Sequence, residues 1–319
     1  ELLPVVNHSS EGAASIPRLG NISEIRKKYV QQIRAGVVLE PSILAPPAGA
    51  FRDGAEAAVS TTVEPRIASL VPSLTELVFE LGLGRCLVAR TGFCVHPAAR
   101  VGAVPKVGGT KDVNLEKLRR LAPTHVLVNV DENRRETVDA IRGWSAVPEI
   151  VVTHPTDPGD NLALVDQFAA AFAAVSGVAE RGAALKLDLQ RELAATGPEA
   201  RPRRRVLYLI WREPWMTVAR DTYLSRMLAR IGWQTWPDVE GGPAGAARYP
   251  ALTGAEPWLG EIEQVLLSSE PYRFDTRHAA AAQALCPAAR VRLVDGELLS
   301  WYGARAVAGL RYLRELAGS

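Results

Sequence analysis

The sequence predicts an α/β protein of two Rossmann-like lobes with parallel central sheets, joined by a long rigid backbone helix and separated by a ligand cleft. Three observations carry this reading. Strand-length apolar runs alternate with helix-like segments from Arg66 onward, which implies parallel pairing in three-layer units. The same plan starts again at Val206. Between the two copies, Asp160–Ala195 carries Leu162, Val165, Phe168, Phe172 and Val175, then Leu185, Leu189 and Leu193, at three- and four-residue spacings that give continuous apolar faces.

Taken in order, residues 1–64 have weak periodicity and many breakers, with Pro41, Pro46, Pro47 and Gly49 close together, and are expected to form an extended or partly ordered arm. One helix-like piece, Ser23 to Ile33, interrupts them. The triplets beginning at Asn7 and Asn21 fit a glycosylation acceptor only in a eukaryotic secretory context. Since the chain opens on Glu1, a processed or trimmed product is expected.

The first lobe, residues 65–158, opens with the strand Arg66–Val71. Pro72 and a capping box, Ser73-Leu-Thr-Glu76, are expected to start a helix that runs to Leu81 and stops at Gly82. A strand over Cys86–Thr91 follows, then an Asn114-capped helix over Leu115–Leu121. Thr124–Val130 and Glu149–His154 read as strands around a helix over Arg134–Trp144. Residues 159–200 supply the connecting helices, divided at Ser176-Gly177, and the second of them, Val178 to Ala195, is long enough at about 1.5 Å per residue to cross between small domains. The second lobe, residues 201–319, begins with the basic run Arg201, Arg203, Arg204 and Arg205, expected to be a solvated linker. It continues with a strand over Val206–Ile210, a helix from Asp221 to Ile231 stopped by Gly232, strands over Gln264–Ser268 and Arg290–Val294, and a last helix from Ala304 to Leu316.

Composition limits the functional classes. In 319 residues, 47% hydrophobic and 23% charged side chains suit a protein that buries a full core, and a net charge of +2 gives no case for a nucleic-acid partner. No run approaches the roughly 18 apolar residues that a membrane span requires. Cys86, Cys94 and Cys286 are odd in number and show no C-x-x-C spacing, which points to buried free thiols, with a Cys86–Cys94 pair as the alternative.

Unusual residues collect at the predicted strand ends. Thr91-Gly-Phe93 and His96 follow one strand, Gly108-Gly-Thr110 lies in the next loop, and His154 follows another. In the second half, Trp211, Trp215 and Met216 leave the first strand, Tyr249 sits in a loop, and Trp301 and Tyr302 follow the last strand. Rigid, flat, partly polar side chains in a cleft suit a large, flat, amphipathic ligand. Catalytic signatures are lacking: there is no G-x-G-x-x-G, G-x-x-x-x-G-K-[ST], H-E-x-x-H or G-x-S-x-G, so no catalytic residue is assigned. His96 and His154 are weak metal candidates, His125 reads as a core residue, and Asp131-Glu132 and Glu261/Glu263 read as solvated surface.

Arg66-Ile-Ala-Ser-Leu-Val-Pro-Ser-Leu-Thr-Glu-Leu, Lys106-Val-Gly-Gly-Thr-Lys-Asp-Val-Asn-Leu-Glu116, Trp211-Arg-Glu-Pro-Trp-Met and Ser300-Trp-Tyr-Gly together resemble the helical-backbone metal receptor family. These are the class III periplasmic substrate-binding proteins of ABC importers, and the resemblance, over about Arg66 to Leu316, is to their cobalamin-binding branch. It implies a monomeric extracytoplasmic receptor that carries a corrinoid between its lobes and delivers it to an importer permease, with no catalytic cofactor. By position, Phe93, Thr110, Trp215, Met216, Tyr249 and Trp301 match the family's ligand-facing loops. Glu116 matches the carboxylate with which the first lobe docks on the permease; Glu256 matches the second to within a residue, where Gly254-Ala-Glu-Pro257 departs from the pattern. A haem or ferric-siderophore receptor of the same fold is the alternative; a siderophore site needs several arginines or tyrosines facing an anionic chelate, and these loops offer mainly Arg90 and Arg212. A chelatase-like bilobal enzyme would require a histidine and a carboxylate converging in the cleft, and a docking module would require an exposed apolar face instead of a cleft.

Overall fold

The computed structural model describes residues 64–197 and 202–318. The expected N-terminal arm and both glycosylation triplets lie outside the described residues, apart from Glu64.

In the first lobe, β1 (Ile67–Ser69), β2 (Leu87–Arg90), β3 (His125–Asn129) and β4 (Glu149–Thr153) form a parallel sheet in the order β2-β1-β3-β4. In the second, β5 (Arg204–Leu209), β6 (Trp233–Thr235), β7 (Gln264–Ser268) and β8 (Arg290–Val294) repeat that order as β6-β5-β7-β8. Parallel sheets form because helices cover both faces, and the fully buried run Val206 to Leu209 shows the result in sequence. Strand β6 has no counterpart in the sequence reading, because three residues around a tryptophan carry too little periodicity to announce a strand.

The first-lobe helices are α1 (Pro72–Glu80), α2 (Ala98–Val101), α3 (Leu115–Arg120) and α4 (Arg135–Arg142). The capping box expected at Ser73 does not form. Pro72 lacks an N–H and suits the first helical turn, so the helix starts before Ser73, with Val71 at its cap and no side-chain cap bond. Glu76 is turned instead toward Arg305. Asn114, by contrast, caps α3 as expected, its side chain accepting from Lys117 N at 2.8 Å. The three cysteines are free and buried.

The central stretch divides as its spacing indicated. Gly177, at φ +83°, separates α5 (Asn161–Ala171) from α6 (Val178–Ala195). Helix α6 packs on α5, with Gly182 facing Val165 and Ala169. At its far end, the buried Glu192 accepts from Arg311 Nε at 2.7 Å and from an Arg314 terminal nitrogen at 2.5 Å. Burial opposes the Glu192 charge, but the two arginines outweigh it and hold its carboxyl below the usual range.

The second lobe adds α7 (Tyr223–Ala229), α8 (Ala279–Leu285), α9 (Gly296–Ser300) and α10 (Arg305–Gly318). Arg204 and Arg205 belong to β5 and pair with Glu263 and Glu261; these arginines therefore open an inner strand of the sheet and are not part of a linker. Gly82 and Gly232, at φ +76° and +80°, end equivalent helices in the two lobes, which is the repeat seen in the sequence. The lobes also share packing. The core cluster around α1, α5 and α6 includes Tyr223, Tyr302 and Ala306 from the second lobe.

Helix α10 crosses α9 at Gly309, where a β-carbon would overlap the Leu298 carbonyl oxygen and crowd Met227. Gly309→Ala is therefore expected to destabilise the second lobe by about 1–3 kcal/mol, measured as a lower midpoint in thermal denaturation. An unchanged midpoint would show that α9 and α10 can separate at no cost.

Candidate ligand-binding site between the lobes

In each sheet the strand order reverses between the first and third strands, and open α/β sheets bind ligands beyond the carboxyl ends at that point. The residues leaving β3 are Val130-Asp-Glu-Asn133, and they are held tightly. Asn129 Oδ1 accepts from Asp131 N at 2.8 Å, while Asn133 donates to the carbonyls of Leu70 and Thr110 at 3.2 and 3.0 Å. The expectation that Asp131-Glu132 is solvated surface is thus overturned. These side chains stand between the lobes, because the turn after β3 is pinned to the ends of its neighbours. His125 sits at the half-buried start of β3, against Phe172 and near Glu149, and is not a core residue.

Glu132 Oε1 accepts from Tyr302 Oη at 2.8 Å, across the lobes. The next residue back, Trp301, donates its indole N–H to Glu270 Oε1 at 2.6 Å, at the end of β7. Two consecutive side chains therefore each hold one carboxyl, from opposite lobes. Burial raises both carboxyls to about 7; Glu270 also raises Glu132, and Glu297 raises Glu270. Burial and Glu132 together push the Tyr302 hydroxyl well above its ordinary range, so it serves as a donor. Burial lowers Lys111 to about 8, against the pull of Glu132 and Asp131, and its ammonium donates to the Asp131 carbonyl at 2.7 Å.

Further charges close the floor and side of the recess. Arg248, buried in the second lobe, donates to Gly242 O at 2.7 Å and stands 3.1 Å from Asp131 Oδ1, in a charge contact whose N–H is not aligned for a hydrogen bond. His154 Nε2 lies 3.5 Å from the other Asp131 oxygen. Burial disfavours the Asp131 charge, but His154, Arg248 and Lys111 outweigh it and hold the carboxyl below its usual value. On the opposite side, Arg305 binds both Glu76 oxygens at 2.7 and 2.8 Å and Glu297 at 2.8 Å, and His96 meets Glu297 at 2.9 Å. The Arg305 guanidinium also lies 4.7 Å from the Trp301 ring, and His96 meets that ring edge-on.

The sequence-predicted residues fall into two groups. Phe93, Trp215 and Tyr249 are partly exposed at the strand-end loops. Trp215 lies nearly parallel to Phe274 and beneath Arg212, and it is presented by a turn that Met216 N closes on Trp211 O at 3.1 Å. Glu213 in that turn adopts φ +67°, which costs energy in a residue other than glycine. Thr110, Trp211, Met216, Trp301 and Tyr302 are buried and support the surface from behind; Met216 is 1% exposed. Glu116 is exposed in the first turn of α3. Glu256 is folded onto its own loop, accepting from Thr253 N at 2.6 Å and Gly254 N at 3.0 Å ahead of the short helix that Pro257 opens. Among the described residues, no three histidine, cysteine, aspartate or glutamate side chains are grouped as a metal site, and His96 and His154 each face a carboxylate instead. Sequence reasoning missed Glu270, Asn133 and Arg248, although Glu270 follows a recognised strand and Arg248 adjoins Tyr249.

Two parallel four-stranded sheets of the same strand order, joined by α5 and α6, make a two-lobed α/β fold. The family model described as periplasmic binding protein matches residues 67–246. A curated relative, the vitamin B12-binding protein of Vibrio vulnificus, is 25% identical over 217 residues, covering 67% of this chain and 72% of its own. Among solved structures, the periplasmic vitamin B12 binding protein BtuF of Vibrio cholerae matches with a TM-score of 0.64 at 18% identity, covering 80% of this chain and 98% of its own. The periplasmic heme binding protein HutB of the same organism matches as well, with a TM-score of 0.64 at 21% identity over 80% and 99%. The chain belongs to the periplasmic binding protein family. Its histidine–carboxylate pairs satisfy the geometric condition set for an enzyme, but the family and the structural neighbours are solute-binding proteins, and this chain is a binder and not an enzyme. No helix among the described residues is long and apolar enough to cross a membrane.

The raised carboxyls have a consequence for stability. An acid lifted from 4.5 to about 7 keeps its proton in the folded state after the unfolded chain has released it, so its contribution falls as pH rises through that interval. Replacing Glu132 and Glu270 together by glutamine should flatten the loss of stability between pH 5 and pH 8 by on the order of 1–3 kcal/mol per residue. Melts followed by circular dichroism at both pH values measure it, and parallel pH profiles for variant and parent would refute it.

Proposed function

We propose that the protein captures cobalamin or a related corrinoid between its lobes in an extracytoplasmic compartment. Acting as a monomer, it then delivers the ligand to the permease of an ABC importer. The observation that carries the ligand class is the state of the cations around the recess. Arg90 is buried and donates to the carbonyls of Val101, Thr91 and Cys94. Arg248 and Arg305 face carboxylates, and Lys111 is spent on a backbone carbonyl. Arg212, 3.8 Å from Glu213, and the exposed Arg273, between Tyr272 and Phe274, are the accessible guanidiniums beside the aromatic loops. Haem, with two carboxylates, and anionic ferric chelates bring charge to a site whose buried cations are already engaged; a corrinoid rimmed by neutral amides needs no such partner. Phe93, Trp215 and Tyr249 supply the flat apolar contact, and the curated vitamin B12-binding relatives support the same choice. Glu116, exposed on α3, is the first-lobe group for docking the permease; Glu256 would have to leave its own loop to act as the second.

Titration of the purified protein with cyanocobalamin, dicyanocobinamide, haemin and a ferric hydroxamate, followed by absorbance and calorimetry, tests the assignment. Corrinoid binding at micromolar concentration or tighter is expected, and failure of both corrinoids at tens of micromolar would reject it. Trp215→Ala should weaken corrinoid binding at least about tenfold in a variant that circular dichroism shows to be folded at the assay temperature. Because the lobes share a core and several ion pairs, small-angle scattering should show nearly the same profile for free and loaded protein, and a wide change would contradict a preformed recess.

A further inference from the structure

The acids of the recess are unevenly committed. Glu132 gives Oε1 to Tyr302, and Glu270 gives Oε1 to Trp301 and has Ser300 Oγ at 3.0 Å. The Oε2 atom of each takes no hydrogen bond from the described residues and is not sealed from solvent. Both side chains are partly accessible to solvent. They come from opposite lobes, each at the strand end where its sheet changes direction. The charged groups around them are Lys111 and Asp131 near Glu132, and Asp295 and Glu297 near Glu270; His96, His154, Arg248 and Arg305 face the other members of this set.

We propose that Glu132 and Glu270 select the ligand by its rim: they pair with carboxamides of an amidated corrinoid, one from each lobe, and turn away tetrapyrroles that carry ionised carboxylates there. This rests on the corrinoid reading above and adds the functional group the ligand must present. A carboxamide offers both an N–H and a carbonyl, so it satisfies an ionised glutamate as acceptor and a protonated one as donor. A ligand carboxylate is satisfied only by the protonated form. Against an ionised glutamate in a recess of low dielectric it meets like charge, with no free cation from Arg248, Arg305 or Lys111 to offset it.

The test compares dicyanocobinamide with dicyanocobyrinic acid, which share the metal and macrocycle but differ in carboxamide against carboxylate side chains. Calorimetry on the full chain at pH 8 is expected to give cobinamide a preference of at least about 100-fold, narrowing at pH 6 as the two glutamates take up protons. The E132Q/E270Q double variant, whose amides retain the Trp301 and Tyr302 hydrogen bonds and can also donate, should reduce the pH 8 preference to below about tenfold and remove its pH dependence. Equal affinity of the parent protein for both corrinoids at pH 8 overturns the selection while leaving the ligand class standing. So does an unchanged ratio in a double variant that melts like the parent. Binding of haemin with neither corrinoid bound overturns both. The two-pH comparison on the parent protein decides the matter even where the variant does not fold.

Discussion

The interlobe recess depends on a pair of adjacent donors. Trp301 and Tyr302 leave α9 side by side, and one binds the carboxyl that ends β7 while the other binds the carboxyl that ends β3. Each bond alone is ordinary. Together they fix the distance between the two sheet ends, since neighbouring residues on one short stretch of chain have little freedom to separate. Gly303, next in line at φ +79°, brings the chain against α1 and lets its N–H reach Asn161 Oδ1 at 2.5 Å. Asn161 in turn donates to Tyr223 Oη at 3.0 Å. The C-terminal segment is thus a strap that crosses from the second lobe to the first and is tied at Trp301, Tyr302, Gly303 and Arg305.

This strap explains why two lobes built on independent sheets behave as one scaffold. Arg305 places a guanidinium between Glu76 of the first lobe and Glu297 of the second, with the Trp301 ring beside it. Arg311 and Arg314, farther along the same helix, grip Glu192 near the end of α6. Partly buried ion pairs of this kind contribute little as single contacts, because desolvation offsets attraction. Their value here is geometric: a residue that leaves its partner strands a charge in a poorly solvated place. A binding protein held in this way presents a surface formed before the ligand arrives, so less ordering cost is charged against affinity.

The same compactness produces the unusual chemistry of the recess. Glu132 and Glu270 are raised because they are crowded by protein and by other acids, while the arginines nearby are engaged elsewhere. The fold likeness to both vitamin B12-binding and heme-binding proteins leaves the choice of ligand to side chains.

Much of the architecture was legible in the amino-acid order. Strand-length apolar runs placed seven of the eight described strands, the period-3.6 pattern and its interruption placed the break at Gly177, and glycines ending equivalent helices marked the repeat. Local sequence determines these because they depend on neighbours within a few positions. The strand ends were also visible as places where aromatic residues gather, and Phe93, Trp215 and Tyr249 do lie partly open there. What only the tertiary structure decided was which side chain each of them meets. Glu76 looked like half of a capping box and became the partner of an arginine 229 residues away, and Asp131-Glu132 looked like solvated surface and came to line the recess. A carboxylate carries no periodic signal, and its role is set by the charge and solvent around it. Those depend on chain segments distant in sequence, which meet only when both sheets and the C-terminal strap are in place.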